Sequence, residues 1–130
     1  MTKVDDKEDI MLRNFAILAL VIAASPAIAD DRRVTTLVVV KTPPGITRAQ
    51  LEAGFAQSVP TYRKIPGLIR KFYTITDTGF GGMYLWESRA AAQAWYSESW
   101  AAQCQARYGS ECAVSYFDSP LQIDGMAAAK

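Results

Sequence analysis

The chain has 130 residues, 50% of them hydrophobic and 21% charged, and its 14 basic residues nearly balance 13 acidic ones. This length fits one small globular domain plus a short extra segment. The nearly balanced charge provides no excess of basic residues to bind nucleic acid or an anionic membrane surface. The sequence contains no histidine. It therefore cannot build a Ser-His-Asp or Cys-His catalytic set, a proximal haem imidazole or a histidine-based zinc site.

Residues 1–29 are predicted to form a secretory signal peptide with a short N-terminal extension. Arg13 precedes an apolar run, a Ser-Pro break and small residues that end at Ala29, the order of regions in an export signal. Acidic residues crowd the segment before Met11, where we expect translation to start, and cleavage after Ala29 would release residues 30–130 to the periplasm or exterior. The apolar run is shorter than the roughly 20 residues of a membrane-spanning helix, so no stable membrane insertion is expected after cleavage. An uncleaved signal anchor is the alternative.

The remaining chain predicts a single α+β domain. A β-branched run, a capping box at Thr47, a hairpin signature and an alanine-rich helix capped by Ser88 follow one another. The expected elements are strand 34–40, a helix from Thr47 with a kink or break at Pro60, strands 68–76 and 82–87, a helix to Arg107, and strand 112–118. This β-α-β-β-α-β order is that of a ferredoxin-like protomer, with both helices on one face of a four-stranded antiparallel sheet.

The other face of this sheet would carry no helix. The first two strands nevertheless have large apolar side chains at successive positions, so an uncovered face would expose an apolar patch on the order of several hundred Å². We therefore expect a homodimer in which a second copy covers that face.

The two cysteines, Cys104 and Cys112, both lie in the segment expected to be exported. An oxidising compartment and an even number of cysteines favour a disulfide between them. The alternative is two buried thiols that pack as small apolar groups.

The predicted hairpin gathers aromatic side chains around a lysine. With Thr76 opposite Gly81, the pairing places four side chains on one face as two cross-strand pairs: Lys71 with Trp86, and Tyr73 with Tyr84. Arg70 then points to the opposite face.

Aromatic side chains from both helices extend this cluster. Tyr62 from the first helix and Trp95 or Trp100 from the second would complete an aromatic pocket around the cation. On a continuous helix Trp95 and Trp100 diverge by about 140°, so we expect at least one residue among Trp95, Tyr96 and Trp100 to serve the dimer interface.

Three short segments carry a family resemblance: residues 66–71, 81–86 and 117–121. In this order and spacing they resemble the YdhR-like monooxygenase family, and the resemblance covers most of residues 34–124. It implies two ferredoxin-like protomers whose sheets close a dimeric α+β barrel. It also implies a relation to cofactor-independent monooxygenases that act on polycyclic aromatic phenols and quinols, and hence no bound cofactor.

Oxygenation without a metal or flavin requires a substrate that ionises to an electron-rich anion, a group that stabilises this anion, and a dry pocket. Lys71 or Arg70 could hold the anion, and Tyr73 or Tyr84 could orient it. The general base would be Glu87, Glu98, a lysine of lowered pKa or the ionised substrate itself.

We thus expect an exported monooxygenase-like dimer that oxidises a small aromatic or quinol compound without a cofactor or metal. The candidate catalytic residues are Lys71, Tyr73 and Tyr84, and the candidate substrate-binding residues are Tyr62, Arg70, Trp86 and Trp95. The alternative is a non-enzymatic periplasmic dimer of the same fold that binds a small aromatic ligand. A structural role at the cell envelope is a third hypothesis.

Overall fold

A computed structural model describes residues 32–129; the predicted signal peptide and its cleavage site lie outside them. Four strands and three α-helices make up this part of the chain, and a short 3₁₀-helix follows at Met126–Ala129. In chain order the elements are β1 (Val34–Lys41), α1 (Arg48–Tyr62), β2 (Leu68–Ile75), β3 (Gly79–Trp86), α2 (Arg89–Trp95), α3 (Glu98–Tyr108) and β4 (Ala113–Asp118).

The strands form one antiparallel sheet in the order β2-β3-β1-β4. This order and the placement of all three helices on one face confirm the expected ferredoxin-like α+β fold. The centre of the sheet is β1, where Val34, Val38 and Val40 are buried beneath the helices. Thr47 caps α1 through the predicted capping box, and Pro60 lies within the helix without ending it.

The hairpin is tighter than the sequence predicts. The backbone N–H of Thr76 donates to the carbonyl of Gly79 at 2.8 Å, and the N–H of Gly79 donates to the Thr76 hydroxyl at 2.9 Å. Thr76 thus closes the turn with its own side chain. Strand β3 therefore begins at Gly79, and its second residue, Phe80, is buried. The expected pairing of Thr76 with Gly81 was therefore wrong by two residues.

The observed register places Lys71 opposite Tyr84, and Tyr73 opposite Gly82. A shift of two residues preserves the face on which each side chain lies, because side chains alternate with a period of two. Lys71, Tyr73, Tyr84 and Trp86 consequently still share the helix-covered face, although their cross-strand partners differ from the prediction.

The predicted second helix is broken into α2 and α3. Its break falls at Tyr96, whose backbone leaves the helical conformation, and Ser97 caps α3 by accepting from the N–H of Trp100 at 3.1 Å. The Tyr96 hydroxyl bonds the buried Thr36 at 2.8 Å, so a tertiary contact fixes the break. The expected 140° divergence of Trp95 and Trp100 was wrong, because it required one continuous helix.

A disulfide joins Cys104 of α3 to Cys112 at the start of β4. Their Cα atoms lie 6.1 Å apart, and both residues are buried. The Gly109 cap of α3 has a left-handed backbone (φ 72°), which turns the chain back so that the two cysteines meet.

The helix-free face of the sheet exposes large apolar side chains. Phe72, Phe117, Val39 and Met83 are 59%, 52%, 47% and 45% exposed, respectively. No helix within residues 32–129 is long and apolar enough to cross a membrane.

Candidate functional site

A cavity of about 640 Å³ lies between the helices and the covered face of the sheet. None of the fifteen residues of α1 is fully buried, because this helix stands off the sheet and roofs the cavity. Exposed side chains of α1 and α3 form its rim. The groups that matter for its chemistry are Ser58, Tyr62, Lys71, Tyr73, Tyr84, Trp95, Trp100 and Arg107.

The amine of Lys71 sits among the ring faces of three tyrosines. Its Nζ lies 3.0 Å from the ring centroid of Tyr62, 4.0 Å from that of Tyr73 and 4.7 Å from that of Tyr84. We call Tyr62, Tyr73 and Tyr84 the tyrosine cage. Each ring face attracts a cation, so the cage can hold the ammonium form.

Lys71 has no carboxylate partner in the part of the chain that the structure describes. The ion pairs there are Arg48–Glu52, Arg70–Asp124 and Arg89–Asp118, and no acidic side chain lines the cavity. Burial lowers the pKa of Lys71 to about 7, since an ammonium loses hydration inside the protein. The ring faces oppose this shift by favouring the cation. At neutral pH the cavity therefore contains both the ammonium and the free amine.

Tyr62 and Tyr84 remain protonated under the same conditions. Burial raises the pKa of Tyr84, and it also raises that of Tyr62 despite hydrogen bonding with Tyr84. Because Tyr84 donates its proton to Tyr62, Tyr62 is the phenol that can donate a hydrogen bond to a ligand at neutral pH.

Tyr73 is fixed by contacts with α1. The Ser58 hydroxyl donates to the carbonyl of Phe55 at 2.8 Å and lies 2.7 Å from the Tyr73 hydroxyl. Because Ser58 has only one proton to donate, Tyr73 donates to Ser58. The Phe55 ring also stacks on Tyr73, with centroids 4.7 Å apart, so the Tyr73 ring is held against the cavity.

Trp95 adds an aromatic wall to the cavity. Its ring packs edge-on against Tyr62 at 5.8 Å, and its indole N–H is buried with no hydrogen-bond partner among residues 32–129. Because that nitrogen has no accessible surface, Trp95 presents its ring and not its N–H to the cavity. Since the helix breaks after Trp95, Trp100 lines the same cavity.

Two residues proposed from the sequence to bind substrate lie elsewhere. Trp86 is completely buried, and its indole N–H donates to Thr36 at 2.9 Å, so it supports the floor without lining the cavity. Arg70 points to the helix-free face and lies 3.7 Å from Asp124. Glu87 and Glu98, the carboxylates considered as bases, are exposed and do not line the cavity.

Gly82 is a site residue that the sequence did not single out. A Cβ at this position would come within 3.1 Å of the Lys71 side chain, 3.0 Å of the Tyr84 ring and 3.0 Å of the Phe72 carbonyl oxygen. Because Gly82 has no side chain, the Lys71 side chain can lie over this position of the sheet. The sequence could not single out this glycine, because the strand register decides which of Gly81 and Gly82 faces the lysine.

Within residues 32–129, no group of three or more histidine, cysteine or acidic side chains is placed to hold a metal ion.

The strand order and the aromatic cavity define a ferredoxin-like α+β protein with an internal site of ligand size. Among solved structures, the chain is similar to the NE2512 protein of unknown function from Nitrosomonas europaea, with 17% identity and a TM-score of 0.57 over 74% of this chain and 97% of that one. SnoaB, a cofactor-independent oxygenase from Streptomyces nogalater, aligns with 17% identity and a TM-score of 0.49 over 72% of this chain and 99% of its own. No family model and no curated protein sequence matches the chain. The likeness to NE2512 establishes a shared fold.

Proposed function

We propose that the protein is a cofactor-independent monooxygenase that oxidises a small aromatic phenol or quinol in the cavity. The observation that carries this proposal is the amine of Lys71, which is held in the tyrosine cage and has no carboxylate partner among residues 32–129. The sequence segments that resemble the YdhR-like monooxygenase family support the same reaction class.

Lys71 supplies the base in this proposal. Its free amine takes the proton of the bound phenol, and the resulting ammonium pairs with the phenolate in a site of low dielectric constant. Glu87 and Glu98 lie outside the cavity, which favours Lys71 over them. Tyr62 can donate a hydrogen bond to the same oxygen.

The phenolate then reacts with molecular oxygen without an external reductant. The substrate carbon that bears hydrogen gains one oxygen atom from O₂ and becomes a carbonyl carbon, while the phenol oxygen becomes the second carbonyl. The two hydrogen atoms lost by the substrate leave with the other oxygen atom as water. The overall change is one phenol and one O₂ to one quinone and one water.

A second copy of the chain is the proposed partner, and residues 1–29 are the proposed export signal. The exposed Phe72, Val39, Met83 and Phe117 support a homodimer, because a sheet face this apolar is stable in water only when covered. Export would place the protein in the periplasm or outside the cell, where the Cys104–Cys112 disulfide is stable.

The test is oxygen uptake by the chelator-treated protein with anthrones, naphthols and hydroquinones. We expect saturable uptake of one O₂ per product and a loss of at least about 100-fold in kcat for Lys71→Met, a factor typical of removing a general base. Lys64→Met, which changes an exposed lysine, is the matched control and should behave as wild type. Normal turnover by Lys71→Met would overturn the assignment of the base.

A ligand-binding protein without turnover is the second candidate. The rings of Trp95 and Trp100 favour it, because these cavity walls can hold an aromatic ligand without any reaction. Tryptophan fluorescence that changes saturably with a phenol, in the absence of oxygen uptake, would select this function.

A further inference from the structure

The environment of Lys71 suits a reaction that needs no oxygen. The amine lies in a cavity of about 640 Å³ whose walls are aromatic, and no carboxylate from the described part of the chain, residues 32–129, lines it. A lysine that is removed from water and lacks a counter-ion is the form in which this residue serves as a nucleophile.

We propose that Lys71 captures small aromatic aldehydes in the cavity as a covalent imine. This second activity uses the same amine but does not rest on the oxygenase proposal. The rings of the tyrosine cage and of Trp95 match the apolar face of an aromatic aldehyde. The protonated phenol of Tyr62 provides a donor for the carbonyl oxygen.

The chemistry is balanced without an oxidant or a cofactor. The nitrogen lone pair of Lys71 forms a C–N bond with the carbonyl carbon, and the carbonyl oxygen takes up the proton that the nitrogen loses. A phenol of the cage then protonates this hydroxyl, and the C–O bond breaks to release water. The nitrogen lone pair forms the C=N bond, and the remaining N–H proton returns to the phenolate. One aldehyde and one amine give one imine and one water.

The same chain contains internal controls. Lys41 and Lys64 are exposed and serve as the reference amines. With the pKa of Lys71 lowered to about 7, about half of its amine is free at pH 7. Because the aromatic cavity also holds the aldehyde next to this amine, we expect labelling of Lys71 to be faster than that of either reference lysine by at least about tenfold.

The experiment traps the imine in the full chain, without oxygen. The protein is incubated with benzaldehyde and sodium cyanoborohydride at pH 7, and the benzyl groups are located by peptide mapping. We expect one dominant benzyl group on Lys71, a rate that saturates with benzaldehyde, and slowing by benzyl alcohol, which fills the cavity but cannot react. Labelling spread over Lys41 and Lys64 without excess at Lys71 would overturn the proposal, as would a rate that benzyl alcohol leaves unchanged.

The pH profile gives a second readout on the wild-type protein. The titratable groups that line the cavity with Lys71 are Tyr62, Tyr73, Tyr84, Tyr108 and Arg107. Burial raises the pKa of Tyr62 and Tyr84, so these phenols do not ionise near neutrality. Labelling of Lys71, whose pKa is lowered to about 7, should therefore level off above about pH 8, with the exposed Lys64 labelled in the same samples as the comparison. Parallel profiles for the two lysines would contradict the proposal.

Lys71→Arg keeps a cation in the cage but cannot form an imine, so it should lose the cavity label and retain the fold, as checked by circular dichroism. This result can be separated from that of the oxygenase test. If oxygen uptake depends on Lys71 but no imine is trapped, only the imine proposal is refuted. If an imine is trapped but no oxygen is taken up, only the oxygenase proposal is refuted.

Discussion

Replacing Lys71 by methionine is predicted to remove a rise in stability with pH. Burial lowers the pKa of Lys71 to about 7 in the folded protein, whereas in the unfolded chain it is about 10.4. Between these values the unfolded chain binds up to one proton more than the folded protein. The free energy of unfolding therefore increases with pH across this window, by at most about 1.4 kcal/mol per pH unit.

The expected size of the effect is smaller than this limit. The Lys71 side chain is only half-buried, and the faces of the tyrosine cage stabilise its ammonium, so both factors reduce the pH dependence. We expect the wild type to gain about 1–2 kcal/mol relative to Lys71→Met between pH 7 and 10. Below pH 7 the lysine is protonated in both states, and the cost of burying its charge is fully present.

Urea denaturation of both proteins at several pH values from 6 to 10 would measure the difference directly. Lys64→Met, which replaces an exposed lysine outside the cavity, is the matched control. Above about pH 10 both proteins should lose stability, since burial raises the pKa of Tyr62, Tyr84 and Tyr96 and the unfolded phenols ionise first. A difference between wild type and Lys71→Met that is constant from pH 6 to 10 would refute the reasoning.

Three further outcomes follow from the contacts. Thr36→Val removes the acceptor of a buried indole N–H and the partner of a tyrosine hydroxyl, so unfolding should require about 2–4 kcal/mol less. Thr74→Val is the control. If urea denaturation gave Thr36→Val and Thr74→Val the same loss in the free energy of unfolding, the predicted role of Thr36 would be contradicted. Replacing both Cys104 and Cys112 by alanine should cost about 2–3 kcal/mol, given their sequence separation of 8; an unchanged thermal midpoint would be inconsistent with that value. Phe72→Glu should shift sedimentation from dimer to monomer, and a wild-type monomer at micromolar concentration would contradict the dimer.

Local sequence signals determined most of the secondary structure. Thr47 and Ser88 mark helix starts because their side chains accept hydrogen bonds from the backbone a few residues later, which needs no tertiary partner. The β-branched run of β1 and the order of the elements likewise predicted the ferredoxin-like fold, since strand alternation and turn residues act over a few positions.

The break between α2 and α3 depended on the tertiary structure. Serine favours the N-cap position, so Ser97 could start a new helix. The alanine-rich segment around it has a high helix propensity, however, and this equally favours one continuous helix. The contact between the Tyr96 hydroxyl and Thr36, 60 residues away in sequence, selects the break. This brings Trp95 and Trp100 to the same cavity, which a continuous helix would not do.

For the site, the sequence determined which side chains share a face of the hairpin, because alternation survives a register shift of two residues. The sequence also predicted that Tyr62 of the first helix completes an aromatic pocket around Lys71. Only the tertiary structure decided how closely the three rings approach the amine, that its space depends on Gly82, and that Glu87 and Glu98 lie outside the cavity. Desolvation of the amine, and the lack of a counter-ion for it among residues 32–129, are properties of this packing, so the chemistry of the lysine could not be read from residues close to it in the chain.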